Sequence, residues 1–392
     1  MRRIGIGERR ERLGWRHHLA RPAASVDEVA ADLVGLHSSD PATVHLSAWA
    51  RVAGFLPAHL EDALYDRRSL VRMLGMRRTL FVVPLDVAGV MDEACTKALG
   101  PAQRSRLVGM LEHQEIARKG QGDRWLDRVA AETLEALTRR GEATARELTR
   151  DVPELGTKLR FGEGKTWGGT MGVSTRVLFL LATEGRIVRA RPLGSWMSGQ
   201  YRWARTETWL GAPLPAIENA EACADLLGRY LRAFGPATIT DVRWWTGWTV
   251  RLATRTLEAL GAVEVGLDDA TGHVLPDDLG PVDDAQPWVA LLPGLDPTVM
   301  GWKERGWYLG EHASALFDRN GNAGPTVWVN GRVVGGWTQT DDGRVVVELL
   351  ERIDARSRKM VDAERDRLRD WLGDLRLKPR FRTPLERALS TR

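Results

Sequence analysis

Three times along this chain a Ser or Thr is followed three residues later by an acid, at the head of a helical apolar pattern. The copies are Ser25-Val26-Asp27-Glu28-Val29, Thr144-Ala145-Arg146-Glu147-Leu148 and Thr238-Ile239-Thr240-Asp241-Val242. This is the spacing of a capping box, in which the hydroxyl and the acid satisfy free amides at a helix start. Asp241 is a short stand-in for the usual Glu. The second and third copies also match further back, Gly141-Glu142-Ala143-Thr144 against Gly235-Pro236-Ala237-Thr238. A helix start that recurs in this way, each time followed by a second helix and a hairpin-like stretch, predicts tandem winged helices. Nucleic acid is then the first partner to consider.

The chain has 392 residues, enough for two or three domains with a substantial core. No apolar run approaches the ~18–20 residues of a membrane span. Met1-Arg2-Arg3 leads into the polar Glu8 to Arg12 stretch rather than an apolar core, so no signal peptide is expected either. Cys95 and Cys223 are too few for a disulfide framework or a metal cluster, and no His/Cys spacing suits zinc. The expectation is a cytoplasmic protein with no metal and no cofactor. The net charge of +4 does not by itself mark a DNA-binding protein, but of 56 basic residues only seven are Lys, leaving 49 Arg. Arg makes bidentate phosphate contacts and stacks on rings, although a G+C-rich coding sequence also enriches it. The 16 Trp against four Tyr add a weak argument for base stacking, since most belong to the core.

Residues 1–84 are predicted as a first winged helix, with helices over Glu8–Leu19, Ser25–Leu36 and Pro41–Arg51 and a hairpin over 69–84 around Gly75. In the first helix Leu13, Trp15 and Leu19 are expected inward. A helical connector follows (85–122). The second winged helix (123–215) has helices over Trp125–Thr138, Thr144–Arg150 and Thr170–Thr183, then a wing from Arg186 to Arg191 and from Gln200 to Trp203. The third (216–284) has helices over Ala220–Phe234, Thr238–Trp245 and Val250–Leu260, with two short strands. From residue 285 to 392 the pattern turns to strands, with Asn330-Gly331 a type I′ hairpin signal, and ends in a charged helix over Ile353–Leu375. The fold class is therefore α+β, with three winged-helix units followed by a β-rich region. No low-complexity linker separates the units, so they are expected to pack together.

Gly162-Glu163-Gly164-Lys165-Thr166 invites a phosphate-loop reading, but Leu159 stands where that motif needs Gly, and no strand is expected before it. Gly5-Ile6-Gly7 lacks the strand and third Gly of a dinucleotide fingerprint. Arg186, Arg189, Arg191 and Arg202 alternate in the second wing, where they could track phosphates or serve as a charged, solvated edge. Lys165 beside Trp167 is a similar, weaker candidate. His37 and Ser39 lie two residues apart in the turn after the second helix, which puts both side chains on one side of an extended backbone. The plainer reading of Ser38, Ser39 or Asp40 before Pro41 is an N-cap for the next helix.

Several segments together resemble the AlkZ/YcaQ family of winged-helix DNA glycosylases. They are Leu33-Val34-Gly35-Leu36-His37-Ser38-Ser39-Asp40-Pro41, Arg77-Arg78-Thr79-Leu80-Phe81-Val82-Val83-Pro84 and Glu184-Gly185-Arg186-Ile187-Val188. In order after them come Trp244-Trp245-Thr246-Gly247, Leu291-Leu292-Pro293-Gly294-Leu295-Asp296, Val329-Asn330-Gly331-Arg332-Val333-Val334-Gly335-Gly336-Trp337 and Arg382-Thr383-Pro384-Leu385-Glu386-Arg387. The resemblance implies removal of N7-alkylated purines, bulky adducts included, from double-stranded DNA, in repair or self-resistance. It also implies that the three units close on the barrel-like β-rich region into a C-shaped DNA-binding body that acts as a monomer. The family's catalytic motif is Gln-Φ-Gln or Gln-Φ-Asp. His37 and Ser39 occupy the aligned positions, so this chain departs from the pattern at both, and Ser38 replaces the apolar middle residue.

N7-alkylation already makes the purine a cationic leaving group, so what remains is to position water at C1′ and stabilise an oxocarbenium-like sugar. A neutral imidazole at His37 could accept the proton of that water. Ser39 could orient it, and Ser38 and Asp40 could support the pair. No Lys lies near the motif in sequence, so no Schiff-base lyase step is expected. A bulky adduct could be excised without the unstacking cost of full extrusion. The resemblance further points to Arg78 and to the Asn330-Gly331-Arg332 turn, flanked by Trp328 and Trp337, as DNA contacts, the turn probing a groove or forming a plain hairpin. The competing reading is a non-catalytic winged-helix protein that binds adducted DNA or regulates transcription.

Overall fold

The computed structural model describes residues 1–165, 168–283 and 286–390. In the first unit, helices Ile6–Arg16 and Val26–Asp32 lead to β1 (Leu36–His37), helix Pro41–Trp49 and the hairpin of β2 (Leu70–Leu74) and β3 (Leu80–Pro84), in sheet order β1-β3-β2. Helices from Leu85 to His113 connect to the second unit. There, helix Gly122–Arg140, β4 (Glu142–Thr144) and helix Ala145–Asp151 are followed by a small hairpin, β5 (Lys158–Phe161) and β6 (Gly169–Gly172). Helix Val173–Thr183 and the hairpin of β7 (Ile187–Pro192) and β8 (Tyr201–Arg205) complete it, in order β4-β8-β7. Helices Asn219–Phe234, Ile239–Thr246 and Val250–Ala259 precede β9 (Val263–Gly266) and β10 (Thr271–Val274). Ala237 bridges His273 of β10. In all three units, then, a lone extended segment pairs with the last strand of the hairpin.

The first unit differs in where that segment comes from. In the second and third it precedes the capped helix, and Ala143 and Ala237, aligned in sequence, occupy equivalent sheet positions. In the first it follows. The helix expected to reach Leu36 stops at Asp32 because Val34 (φ 57°) and Gly35 (φ 114°) turn left-handed. A Cβ on Gly35 would lie 2.7 Å from Val83 Cγ1, so Gly lets the chain return against β3. Leu36 and His37 then pair with Val82 and Phe81. The predicted turn that carries His37 is a strand.

Two of the three boxes close. Thr144 Oγ1 accepts from Glu147 N (3.2 Å) while Glu147 Oε2 accepts from Thr144 N (2.7 Å), and Thr238 and Asp241 exchange the same bonds at 3.1 Å each. Ser25 accepts from Glu28 N, but Glu28 reaches Ala24 N instead. The other oxygen of Asp241 accepts from Lys303 N and Glu304 N, both 2.8 Å, which ties the third unit to the C-terminal region. Thr238→Ala is therefore expected to cost about 1–2 kcal/mol and Ser25→Ala less than half of that, read as shifts in urea midpoints. Equal costs would mean that the closed box adds nothing.

The C-terminal region holds β11 (Val289–Leu292), β12 (Thr326–Val329), β13 (Arg332–Gln339) and β14 (Val345–Leu349), antiparallel in chain order. The barrel-like closure expected from sequence does not form. Among the described residues β11 and β14 are the edges of the sheet, and helix Ala355–Leu372 packs against both. One apolar core runs through the first unit, the helices of the third and this sheet and takes in Val188, Ala190 and Ala204 of the β7–β8 hairpin, while the rest of the second unit has its own core and β9 and β10 pack with Ile4 in a third. Leu13 and Leu19 are buried as expected, but Trp15 is half-exposed, and the fully buried partner in that helix is Arg12, held by Glu8 and Asp278. No described helix is long and apolar enough to cross a membrane.

Candidate active site

After helix Val26–Asp32, β1 ends at His37, and Ser39 and Asp40 form a bend that turns the Ser39 amide toward the His37 ring. Ser38 N donates to Leu80 O (2.7 Å) and Leu80 N donates to Ser39 Oγ (3.2 Å), so the motif is fastened to the start of β3. Ser38 is fully buried, and its hydroxyl accepts from Arg72 Nε at 2.8 Å. Asp40 is the N-cap of helix Pro41–Trp49, accepting from Ala42 N, and its second oxygen accepts from Arg380 N, both at 3.0 Å. Those bonds occupy both of its oxygens, so Ser38 and Asp40 are structural partners of the motif. Ser39 is half-buried and keeps its own hydroxyl proton to donate.

His37 is 3% exposed and stands edge-on to Phe81, with ring centroids 5.3 Å apart. Ser39 N points at Nδ1 from 3.5 Å, a contact long enough to orient the ring without fixing its tautomer. Burial, and after it the positive charge of Arg77, pushes the imidazole pKa down to about 3, with Asp296 pulling weakly the other way. The ring is neutral at any physiological pH. It borders a small enclosed cavity lined also by Leu33, Met76, Arg77, Trp245 and Met300, with room for about one water molecule. None of the seven lysines lines it.

Behind the ring lies a buried polar cluster. Arg51 and Asp296 are both fully buried and joined by paired hydrogen bonds of 2.7 and 2.9 Å. Burial alone would raise the Asp296 pKa, but Arg51, Ser47 Oγ (2.6 Å) and Thr298 N (2.9 Å) hold it below the ordinary value. His17, against Thr298 and Ala233 O, is kept neutral mainly by burial, its pKa lowered to about 3.

The predicted DNA contacts scatter. Arg78 sits beside the site, next in the chain to Arg77, with its guanidinium 5.5 Å from the Phe179 ring. In the β7–β8 hairpin the alternation holds, but the register splits the arginines. Arg189 opposes Trp203 and lies half-buried between it and Tyr201, 4.7 and 5.1 Å from their rings, while Arg191 pairs with Asp66 at 2.9 Å over the Tyr65 ring. Arg186 and Arg202 are exposed, as is Lys165, and Trp167 lies outside the described residues. The Asn330-Gly331 turn is exposed at Asn330 and Arg332 and packed at Gly331. Asn330 Oδ1 accepts from Trp288 N (2.8 Å), Gly331 lies so close to Arg10 that a Cβ would be 2.4 Å from it, and Arg332 pairs with Glu351 at 2.8 Å. Trp328 and Trp337 are fully buried, so neither can stack on a base.

Sequence reasoning passed over Arg77, Trp244 and Arg305. The guanidiniums of Arg77 and Arg305 lie 3.8 and 4.9 Å from the centroid of the same Trp244 ring. Arg77-Arg78 and Trp244-Trp245 were visible as motifs, but nothing in sequence shows that the two meet.

A family model described as "DNA glycosylase AlkZ-like" matches residues 30–371. The fold is similar to that of the DNA glycosylase AlkZ of Streptomyces sahachiroi, with a TM-score of 0.70 and 21% sequence identity over 94% of this chain and 97% of that one. No curated protein sequence matches.

Proposed function

The chain belongs to the AlkZ-like DNA glycosylase family, and from that premise we propose that it is a monofunctional enzyme that hydrolyses the N-glycosidic bond of bulky N7-alkylguanine in duplex DNA. The observation that carries this reading is a neutral, buried His37 facing room for one water molecule. Such an imidazole cannot donate a proton to a leaving base, so it suits a substrate whose base is already cationic. N7-alkylguanine takes the bonding electrons of the C1′–N9 bond and departs as a neutral molecule. Water adds to the oxocarbenium carbon, His37 accepts its proton and passes it to solvent, and Ser39 orients the water from the half-exposed side. A weak base suffices because an oxocarbenium ion is a strong electrophile. The absence of Lys from the cavity lining fits hydrolysis without a lyase step.

The topology shared by the three units supports reading them as winged helices. A largely apolar cavity of about 240 Å³ lined by Leu74, Leu80, Phe179, Arg189 and Trp203 gives room for a bulky adduct close to Ser39, which bonds the Leu80 amide. Incubation with duplexes carrying defined N7-guanine adducts tests the proposal, and alkali-labile abasic sites are the expected product. Tight binding without excision of any adduct would replace it with a non-catalytic binder of damaged DNA.

The pH dependence follows from His37. With a pKa of about 3, single-turnover excision is expected to stay flat from pH 8 to about pH 5, where an ordinary imidazole would have lost about 30-fold. A break near pH 6.5 would show that the base is a solvated group instead. The same burial limits stability in acid. His17, His37 and His45 all have pKa values lowered to about 3, so the unfolded chain binds more protons than the native one between roughly pH 6.5 and pH 3. Their contribution is fully present above pH 6.5 and is lost as pH falls toward 3.

A further inference from the structure

Five arginines follow one another past the His37 cavity, and among the described residues none of them makes an ion pair. Arg305, half-buried, lies over Phe317 (4.6 Å) and shares the Trp244 ring with Arg77. Arg78 follows in the chain over Phe179. Arg176, one turn before Phe179 on helix Val173–Thr183, feels the charges of Arg78 and of Arg106 from helix Gly100–His113. The Nε atoms of Arg77 and Arg176 are buried without a hydrogen-bond partner. Arg77 and Arg78 both adopt left-handed backbone, φ 53° and 66°, which costs free energy for a non-Gly residue. Like charges held together, donors left unpaired and a strained turn are all unfavourable in the free protein. One ligand, an extended polyanion, would relieve the first two.

We infer that Arg305, Arg77, Arg78, Arg176 and Arg106 form the track that grips the phosphate backbone of duplex DNA and draws the lesion strand past His37 at Arg77. The inference rests on the glycosylase reading and adds where the DNA lies. Phosphates fit better than bases because guanidiniums already cover Trp244 and Phe179, leaving their free N–H groups for anionic oxygens. The track also supports the chemistry. Unpaired guanidiniums would oppose positive charge growing at C1′, whereas a phosphate on Arg77 offsets that field. It removes the charge that, after burial, most weakens His37 as a base.

The test measures affinity for an undamaged duplex between about 50 and 200 mM salt, where each phosphate contact contributes about 0.9 to the log–log slope. Arg106→Gln/Arg176→Gln, which removes two half-exposed or exposed side chains that pair with nothing, is expected to lower the slope by about 1.8, and Arg77→Gln by about 0.9. Arg186→Gln/Arg202→Gln, on the exposed β7–β8 hairpin, is expected to leave it unchanged. If the hairpin pair lowers the slope and the track variants do not, the track is overturned while the glycosylase reading stands. A wild-type protein with no salt-dependent duplex binding would remove both.

Discussion

His37→Ala is expected to lower single-turnover excision by about 10²–10⁴-fold while duplex affinity changes by less than about twofold. The asymmetry follows from the geometry. The imidazole is 3% exposed and touches Phe81 and the cavity, so it offers DNA almost no surface. The variant leaves a void beside Phe81, so its melting curve must accompany the rates. His37→Gln is the control for folding. Glutamine is the residue that the resembling enzymes carry at this position, and it fills the space and orients water by hydrogen bonding without accepting a proton. It should retain substantially more activity than the Ala variant. Full activity in a folded His37→Ala protein would sink the catalytic assignment, whatever the DNA affinity.

The periodic and local parts of this structure were legible in sequence. Capping boxes, helix periods and the Asn330-Gly331 turn depend on residues within a few positions, and Thr144, Thr238 and the β12–β13 hairpin appear where they were expected. What sequence hid was long-range or conformational. Nothing near Ser25 tells that its helix ends at Asp32, because that depends on the left-handed Val34 and on Gly35 packing against Val83. The β5–β6 hairpin was missed because a Gly-rich stretch carries little strand signal. The arginines of β7 alternate as read, but the partners that occupy Arg191 are Asp66 and Tyr65, which only the fold brings near. The candidate site divides in the same way. His37 and Ser39 were visible from their spacing and from the resemblance, whereas Arg77 and Arg305 became candidates only because they meet at Trp244.

Asp296→Ala is expected to cost about 3–5 kcal/mol of stability, the largest loss among the substitutions considered. Asp296 and Arg51 are fully buried, and the bonds around them are complete. Arg51 donates from Nε to His17 O, from Nη1 to Ser47 O and Asp296 Oδ2, and from Nη2 to Asp296 Oδ1 and Thr298 Oγ1, which uses all five of its N–H groups. Asp296 additionally accepts from Ser47 Oγ and Thr298 N. Removing the carboxylate therefore strands a guanidinium that has no route to water. Arg51→Met should cost a comparable amount, because it strands the carboxylate instead. The double variant Arg51→Met/Asp296→Leu should be much more stable than the sum of the singles predicts, since neither charge is then left unpaired. Urea unfolding of the four proteins closes the cycle. A single-variant loss below about 1 kcal/mol would mean that water reaches the pair.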